Sequence, residues 1–71
     1  MRVIANIQGE GIVYVMFYVD GRLRKMTNAA PYEWRWDTRA DVNGAHSLEI
    51  RGADTKGRII TTQTQKVTVY N

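Results

Sequence analysis

Two segments constrain this chain more than any others: Val15-Met16-Phe17-Tyr18-Val19-Asp20-Gly21 and Pro31-Tyr32-Glu33-Trp34-Arg35-Trp36-Asp37-Thr38. In the first, Val15, Phe17 and Val19 alternate with Met16 and Tyr18, the period of two of a strand with one buried face. Asp20-Gly21 then supplies the residue pair that takes positive φ in a tight hairpin turn. In the second, Tyr32, Trp34 and Trp36 alternate with Glu33 and Arg35, which puts three large aromatics on one face. No window carries apolar residues at i, i+3, i+4 and i+7, so no helix is expected.

The remainder parses into short strands, each with its own turn signal. Six are expected: Arg2–Ile7, Ile12–Val19, Arg22–Thr27, Tyr32–Trp36, Ala45–Asp54 and Arg58–Tyr70. Gln8-Gly9-Glu10-Gly11 ends the first, and Asn28-Ala29-Ala30-Pro31 breaks the third, since proline cannot donate to a ladder. Asp37 to Asn43 reads as a loop ending at Gly44, and Thr55-Lys56-Gly57 turns the fifth strand into the sixth. His46, Leu48, Ile50 and Gly52 share one face of the fifth strand, and Val67 and Val69 point inward from the last. Evenly spaced strands of this kind imply an all-β fold, a small antiparallel sandwich.

Seventy-one residues make a single domain, spanning 1–71, of a size at which one hydrophobic core gives marginal stability. There is no cysteine to staple it and only one histidine, so neither a disulfide nor a zinc site of ordinary ligand spacing is expected. Reinforcement falls to aromatic packing, neighbouring domains or self-association. The net charge of +3 is spread out. Arg22, Arg24 and Lys25 form the one local cluster, and Arg35 and Arg51 each lie two residues from a glutamate, Glu33 and Glu49, on the same strand face, which suits cross-strand charge pairing. No RNA-binding signature accompanies them, so no nucleic-acid partner is expected. The apolar run at the start is too short for a signal peptide, and no segment reaches membrane-spanning length. No membrane partner is expected, and if the parent protein is exported, its signal lies outside this chain.

The motifs FYVDG, PYEWRWDT, Asn43-Gly44-Ala45-His46-Ser47-Leu48 and Ala53-Asp54-Thr55-Lys56-Gly57, in this order and spacing, resemble the bacterial immunoglobulin-like domains appended to secreted glycoside hydrolases, proteases and adhesins. The resemblance covers roughly Val3 to Val69. It implies an immunoglobulin-like sandwich with Trp36 as the central core aromatic and Phe17, Tyr32 and Leu48 around it. It also implies that His46 ties a loop to the strand after Gly44, and that Asp54 and Gly57 shape the last hairpin. The chain departs from the family pattern at Met16, usually acidic or polar, and at Arg58, where asparagine is favoured. Family members also begin with an additional strand before the equivalent of Arg2. Lacking it, Arg2–Ile7 is expected to be an exposed sheet edge, with Arg2 and Ile4 as candidate contacts for another chain.

Catalytic chemistry finds no footing in the sequence. As a base, His46 would need a nucleophile or an orienting carboxylate in a cleft; on a face with Leu48 and Ile50 it is expected to be a hydrogen-bonded core histidine. Asp37, Asp41 and Asp54 sit where turns need aspartate, and no EF-hand ligand run exists. No cofactor, metal or catalytic residue is assigned. Trp34 and Trp36 could offer a sugar platform but share the face of Tyr32, which the resemblance makes core. The expected core is Val15, Phe17, Val19, Tyr32, Trp36, His46, Leu48 and Ile50.

With Val13, Val15, Phe17 and Val19 pointing in, Tyr14, Met16 and Tyr18 point out, a composition favoured at interfaces. The chain is therefore expected to be a non-enzyme: an accessory module, spacer or docking domain of a larger secreted or surface protein. Its expected partner is a neighbouring domain or a second copy. Two alternatives stand beside it. One is a carbohydrate-binding module that engages a glycan through outward Tyr14 and Tyr18; the other is a self-assembling subunit or engineered building block.

Overall fold

The computed structural model describes residues 1–7, 10–29 and 32–70. Among them are six strands: β1 (Arg2–Ile4), β2 (Tyr14–Val19), β3 (Arg22–Thr27), β4 (Glu33–Arg35), β5 (Gly44–Ala53) and β6 (Ile59–Val69), with one 3-10 turn at Thr38–Ala40. They form two antiparallel sheets, a four-stranded one in the order β3-β2-β5-β6 and a two-stranded one of β1 and β4. The expected turn at Gln8-Gly9 and the break at Ala30-Pro31 lie outside the described residues.

The β2–β3 hairpin forms as its sequence dictates. Asp20 takes φ 51° and Gly21 φ 82°, the two positive values that a type I′ turn needs to match the twist of its strands. The register slips between Phe17 and Tyr18, where Lys25 faces Phe17 and Leu23 faces Tyr18. Arg24, the residue left over, is thereby re-aimed, as bulges do. The last hairpin closes on Asp54, whose carboxylate accepts from the backbone N–H of Lys56 and of Arg58, both at 2.9 Å. Gly57 completes that turn at φ 79°.

Eight strand ends differ from the sequence reading, the four of β5 and β6 by a single residue each. β1 stops at Ile4 instead of Ile7, because β4, its one described partner, is only three residues long; a single further bond, Ala5 N–H to the Tyr32 carbonyl at 2.8 Å, prolongs the pairing. β2 starts at Tyr14 instead of Ile12, although Val13 still donates to Ala53 at 2.8 Å. β4 covers only the middle of Tyr32–Trp36, and the Asp37 to Asn43 loop contains the 3-10 turn, which Asp37 caps by accepting from Arg39 N–H at 3.2 Å. The charge pairs also differ from expectation. Glu49 bonds Arg51 on its own strand, whereas Glu33 is engaged by Arg2 at 3.2 Å across the β1–β4 pair, not by Arg35.

The core lies between the sheets and consists of Val3, Val15, Phe17, Val19, Trp36, Leu48, Ile50 and Val69, with His46 buried beside them. Alternation explains the membership: on β2 every second residue is enclosed, and on β5 His46, Leu48, Ile50 and Gly52 fall on the same inner face. Tyr32 is a correction. It is half-buried and packs against this cluster with Trp34, Ile7, Ile12 and Val67, outside the enclosed set. At the far end, a Cβ on Gly52 would lie 3.1 Å from Ile12 and 3.2 Å from both Ile7 and Thr61, so the missing side chain is what lets those residues close the sandwich.

Trp36 is the largest of the fully buried side chains. Trp36→Ala should cost about 3–5 kcal/mol, against a total of roughly 4–10 kcal/mol for a domain of this length. Urea unfolding should show the midpoint collapse toward zero denaturant, whereas the exposed Val42→Ala should leave it within about 0.5 kcal/mol of the parent.

Candidate functional site

Side chains able to do chemistry gather in two places. The first is one end of the sandwich, around Trp36. Its ring stacks on Trp34 with centroids 5.5 Å apart and planes 11° apart, and Trp34 in turn meets Phe17 at 5.9 Å. A buried indole needs a partner for its N–H. Asp41 provides it, accepting from Trp36 Nε1 at 2.7 Å. The same carboxylate is held bidentately by Arg24, at 3.0 and 3.2 Å, and the Arg24 guanidinium also sits 5.6 Å from the Trp34 ring centroid. The bulge in β3 thus serves to bring a cation onto the aromatic stack. The Arg24 contact, and after it the Trp36 donor, holds the Asp41 carboxyl below the usual aspartate range.

His46 meets the edge of Trp36 nearly at right angles, 6.1 Å between centroids. Nδ1 lies 2.6 Å from Asp20 Oδ2, and Nε2 lies 2.7 Å from the Val42 carbonyl oxygen. Both neighbours are acceptors, so both ring nitrogens must donate, and the ring is satisfied only as an imidazolium. Its pKa is accordingly raised, first by the Val42 carbonyl and then by Asp20. Asp20 is lowered, first by the Ser47 backbone N–H at 2.9 Å and then by His46. His46 therefore joins the β2–β3 turn, the start of β5 and the loop before it. An orienting carboxylate is present, but the ring is buried against Trp36, and its two nitrogens are taken by Asp20 and the Val42 carbonyl. The geometry is that of a structural clamp.

The second place is the face of the four-stranded sheet that points away from the core. Tyr14, Met16 and Tyr18 of β2 are each half-buried there. With Met26, Ala53, Gly57 and Ile59 they line a groove of about 430 Å³. Register accounts for the assembly: Met16 faces Met26 on β3, and Tyr14 faces Ala53 on β5. Met26 and Ile59 are 55% and 47% exposed, so the rim is apolar and open. The sequence reading named the tyrosines and Met16 but missed Met26 and Ile59, whose position on this face depends on the bulge in β3 and the register shift between Gly52 and Ala53. Arg51 lies 4.3 Å over the Tyr18 ring and is bonded to Glu49, so one face of that ring is already covered.

Arg2 and Ile4 lie elsewhere, on β1. Arg2 is occupied by Glu33, and Ile4 is 57% exposed. With Met1, Val3, Leu48, Ile50, Gln65 and Val67 they line a smaller cleft of about 190 Å³ at the mouth of the sandwich. The structure does not bring them together with Tyr14, Met16 and Tyr18, because the two sets belong to different sheets. Among the described residues no group of three or more histidine, cysteine or carboxylate side chains is arranged to hold a metal.

Residues 1–50 match the sequence pattern of the bacterial Ig domain family, and the chain belongs to that family. It is also similar to the solved fibronectin(III)-like modules of Clostridium thermocellum CbhA, with 28% sequence identity and a TM-score of 0.80. That match covers 97% of this chain and 74% of the other. No curated protein sequence matches the chain. An all-β immunoglobulin-like sandwich is therefore established by fold and family together.

The clamp gives a definite pH response. A histidine whose folded pKa is raised contributes stability that is complete below its unfolded value, about 6.5, and lost as pH climbs through the folded value. The lowered Asp20 contributes above the usual aspartate value and loses its part as pH falls through its folded one. Thermal unfolding followed by circular dichroism should show Tm highest in mildly acid solution and declining on the alkaline side. His46→Asn should lower Tm in mild acid and abolish the alkaline decline; a decline of undiminished size in that variant would place the titrating group elsewhere.

Proposed function

We propose that this chain is a non-catalytic accessory module of a larger exported protein, and that it docks a neighbouring domain of the same polypeptide through the groove of Tyr14, Met16, Tyr18, Met26 and Ile59. The observation that carries the reading is an apolar groove on the face away from the core. A sheet face exposed only to water would carry polar residues at these alternate positions. Methionine and tyrosine supply adaptable, large contact area, and both are enriched in the centres of protein interfaces. The likeness to modules of a larger protein supports the accessory role and an extracellular location. The polar groups near Trp36 and His46 are spent on holding the fold together, which supports a role without chemistry of its own.

Binding of a glycan is the second reading, since tyrosines line the groove. Against it, Arg51 already covers one face of Tyr18, and most of the remaining lining is methionine, isoleucine and alanine, which cannot hydrogen-bond a sugar hydroxyl.

Met16→Glu places a charge at the centre of the groove without touching the core. In a polypeptide joining this chain to the domain that adjoins it in its parent, small-angle scattering should show the radius of gyration increase in the variant. The melting temperature of the isolated chain should stay within a few degrees, as for a surface change of about 0.5 kcal/mol. An unchanged radius of gyration would remove the docking reading. Retention on a polysaccharide gel, lost in both Tyr14→Ala and Tyr18→Ala, would replace it with the glycan one.

A further inference from the structure

The four-stranded sheet ends on one side at β6, and this edge differs from every other edge among the described residues. Sheet edges expose unpaired N–H and C=O groups, and soluble proteins blunt them with shortness, charge, bulges or proline. β1 and β4 are three residues long. β3 carries Arg22, Arg24 and Lys25 and pairs across a register shift. β6 has little of this: one extra residue, Ile60, where its pairing with β5 begins, and a single lysine. It runs for eleven residues, Ile-Ile-Thr-Thr-Gln-Thr-Gln-Lys-Val-Thr-Val, with one charge and no proline. Its register against β5 is unbroken from Thr61 to Val69, and the described residues place no strand on its other side. At roughly 3.4 Å per residue it extends along nearly the whole 37 Å length of the molecule.

We infer that β6 is a self-association edge: two copies of this chain pair β6 with β6 in antiparallel register about a two-fold axis at Thr64, joining their sheets into one continuous eight-stranded sheet. The occupant follows from the self-complementarity of the sequence. A two-fold interface brings residue i onto residue j and j onto i, and a centre at Thr64 sets Ile59 against Val69, Ile60 against Thr68 and Thr61 against Val67. It also sets Thr62 against Lys66, Gln63 against Gln65 and Thr64 against itself. Five of these six pairs join β-branched or amide side chains to one another, the kinds that stabilise cross-strand neighbours. The one charge, Lys66, meets a threonine and never its own mate. From Thr61 to Val67 paired residues also share a face: the inward Thr61, Gln63, Gln65 and Val67 stay together, as do the outward Thr62, Thr64 and Lys66, while the extra residue Ile60 sets Ile59 and Val69 on opposite faces. This surface meets the groove only at Ile59; the rest of the groove lies on the face of the sheet and not at its edge.

Thr64→Lys tests the pairing without weakening the single copy. Within one chain residue 64 faces Glu49 on β5, so the new lysine is tolerated there; across the proposed axis it meets the same lysine of the other copy. Sedimentation velocity from about 1 μM to about 1 mM should show the parent chain move from 8.1 kDa toward twice that mass. Thr64→Lys should raise the dissociation constant by about fivefold or more, the effect of a like-charge pair directly opposed in a sheet, while the circular dichroism spectrum is unchanged. Mixing Thr64→Lys with Thr64→Glu should restore association. A parent chain that stays at 8.1 kDa throughout would overturn the inference, as would a dimer that Thr64→Lys leaves intact or that only Met16→Glu dissociates.

Discussion

Burying Trp36 is the act on which the rest of this small fold depends. A 71-residue chain without disulfides has few ways to fill the space between two sheets, and Trp36 is the largest side chain it encloses. The ring brings a polar N–H with it, and leaving that donor unmet would cost much of what its burial contributes. Asp41 therefore has to be delivered to the ring, and the 3-10 turn ahead of it shortens the loop to do so. Asp41 in turn brings a charge to the margin of the core, which Arg24 balances from β3 after the bulge has turned it inward. One aromatic thus accounts for a loop conformation, a strand irregularity and an ion pair. The same end of the sandwich holds His46, with both ring nitrogens committed. A polar network this fully paired specifies a unique arrangement.

Where polar groups are fixed around the core, the surfaces free to bind are the ones the core does not use. The outer face of β2 is dictated by the same alternation that builds the inside: once Val15, Phe17 and Val19 are enclosed, Tyr14, Met16 and Tyr18 have only the other face. The chain spends large, partly apolar residues there, where threonine or lysine would serve for solubility alone. That choice separates the groove from the neighbouring outer surface of β6, where Thr62, Thr64, Lys66 and Thr68 are all exposed. One face is equipped for contact by side chains. The edge of β6 is equipped for contact by backbone. The two modes do not compete for the same atoms.

Much of the fold was legible because it rests on short-range rules. The alternation in β2, the Asp20-Gly21 turn and the inner face of β5 each follow from residue types within a few positions of one another. Tyr32 shows where this ends. Its spacing from Trp36 puts it on the inner face, but how far it is enclosed depends on how much of β1 lies over it, and β1 is three residues long. The β3 bulge was not legible either. Nothing in Arg22-Leu23-Arg24-Lys25 declares that one arginine will turn onto Trp34, since that geometry arises from Asp41, seventeen residues away from Arg24. Met26 and Ile59 joined the groove through the same kind of register shift.

The edge of β6 presents the opposite case, a feature plainly written in the sequence. The family pattern makes the first strand an exposed edge, yet its three residues offer little to pair with. The last strand has the length, the β-branched composition and the scarcity of charge that make an edge adhesive. Such a strand is tolerable in a soluble domain only if something limits its pairing. A two-fold arrangement is such a limit, because the second copy satisfies the edge of the first and leaves no third to add on that side. The edge that remains at each end of the enlarged sheet is β3, and there Arg22, Arg24 and Lys25, together with the bulge, oppose further growth. The same chain thus carries one edge that favours addition and one that resists it, which is what a closed pair requires and an open fibre lacks.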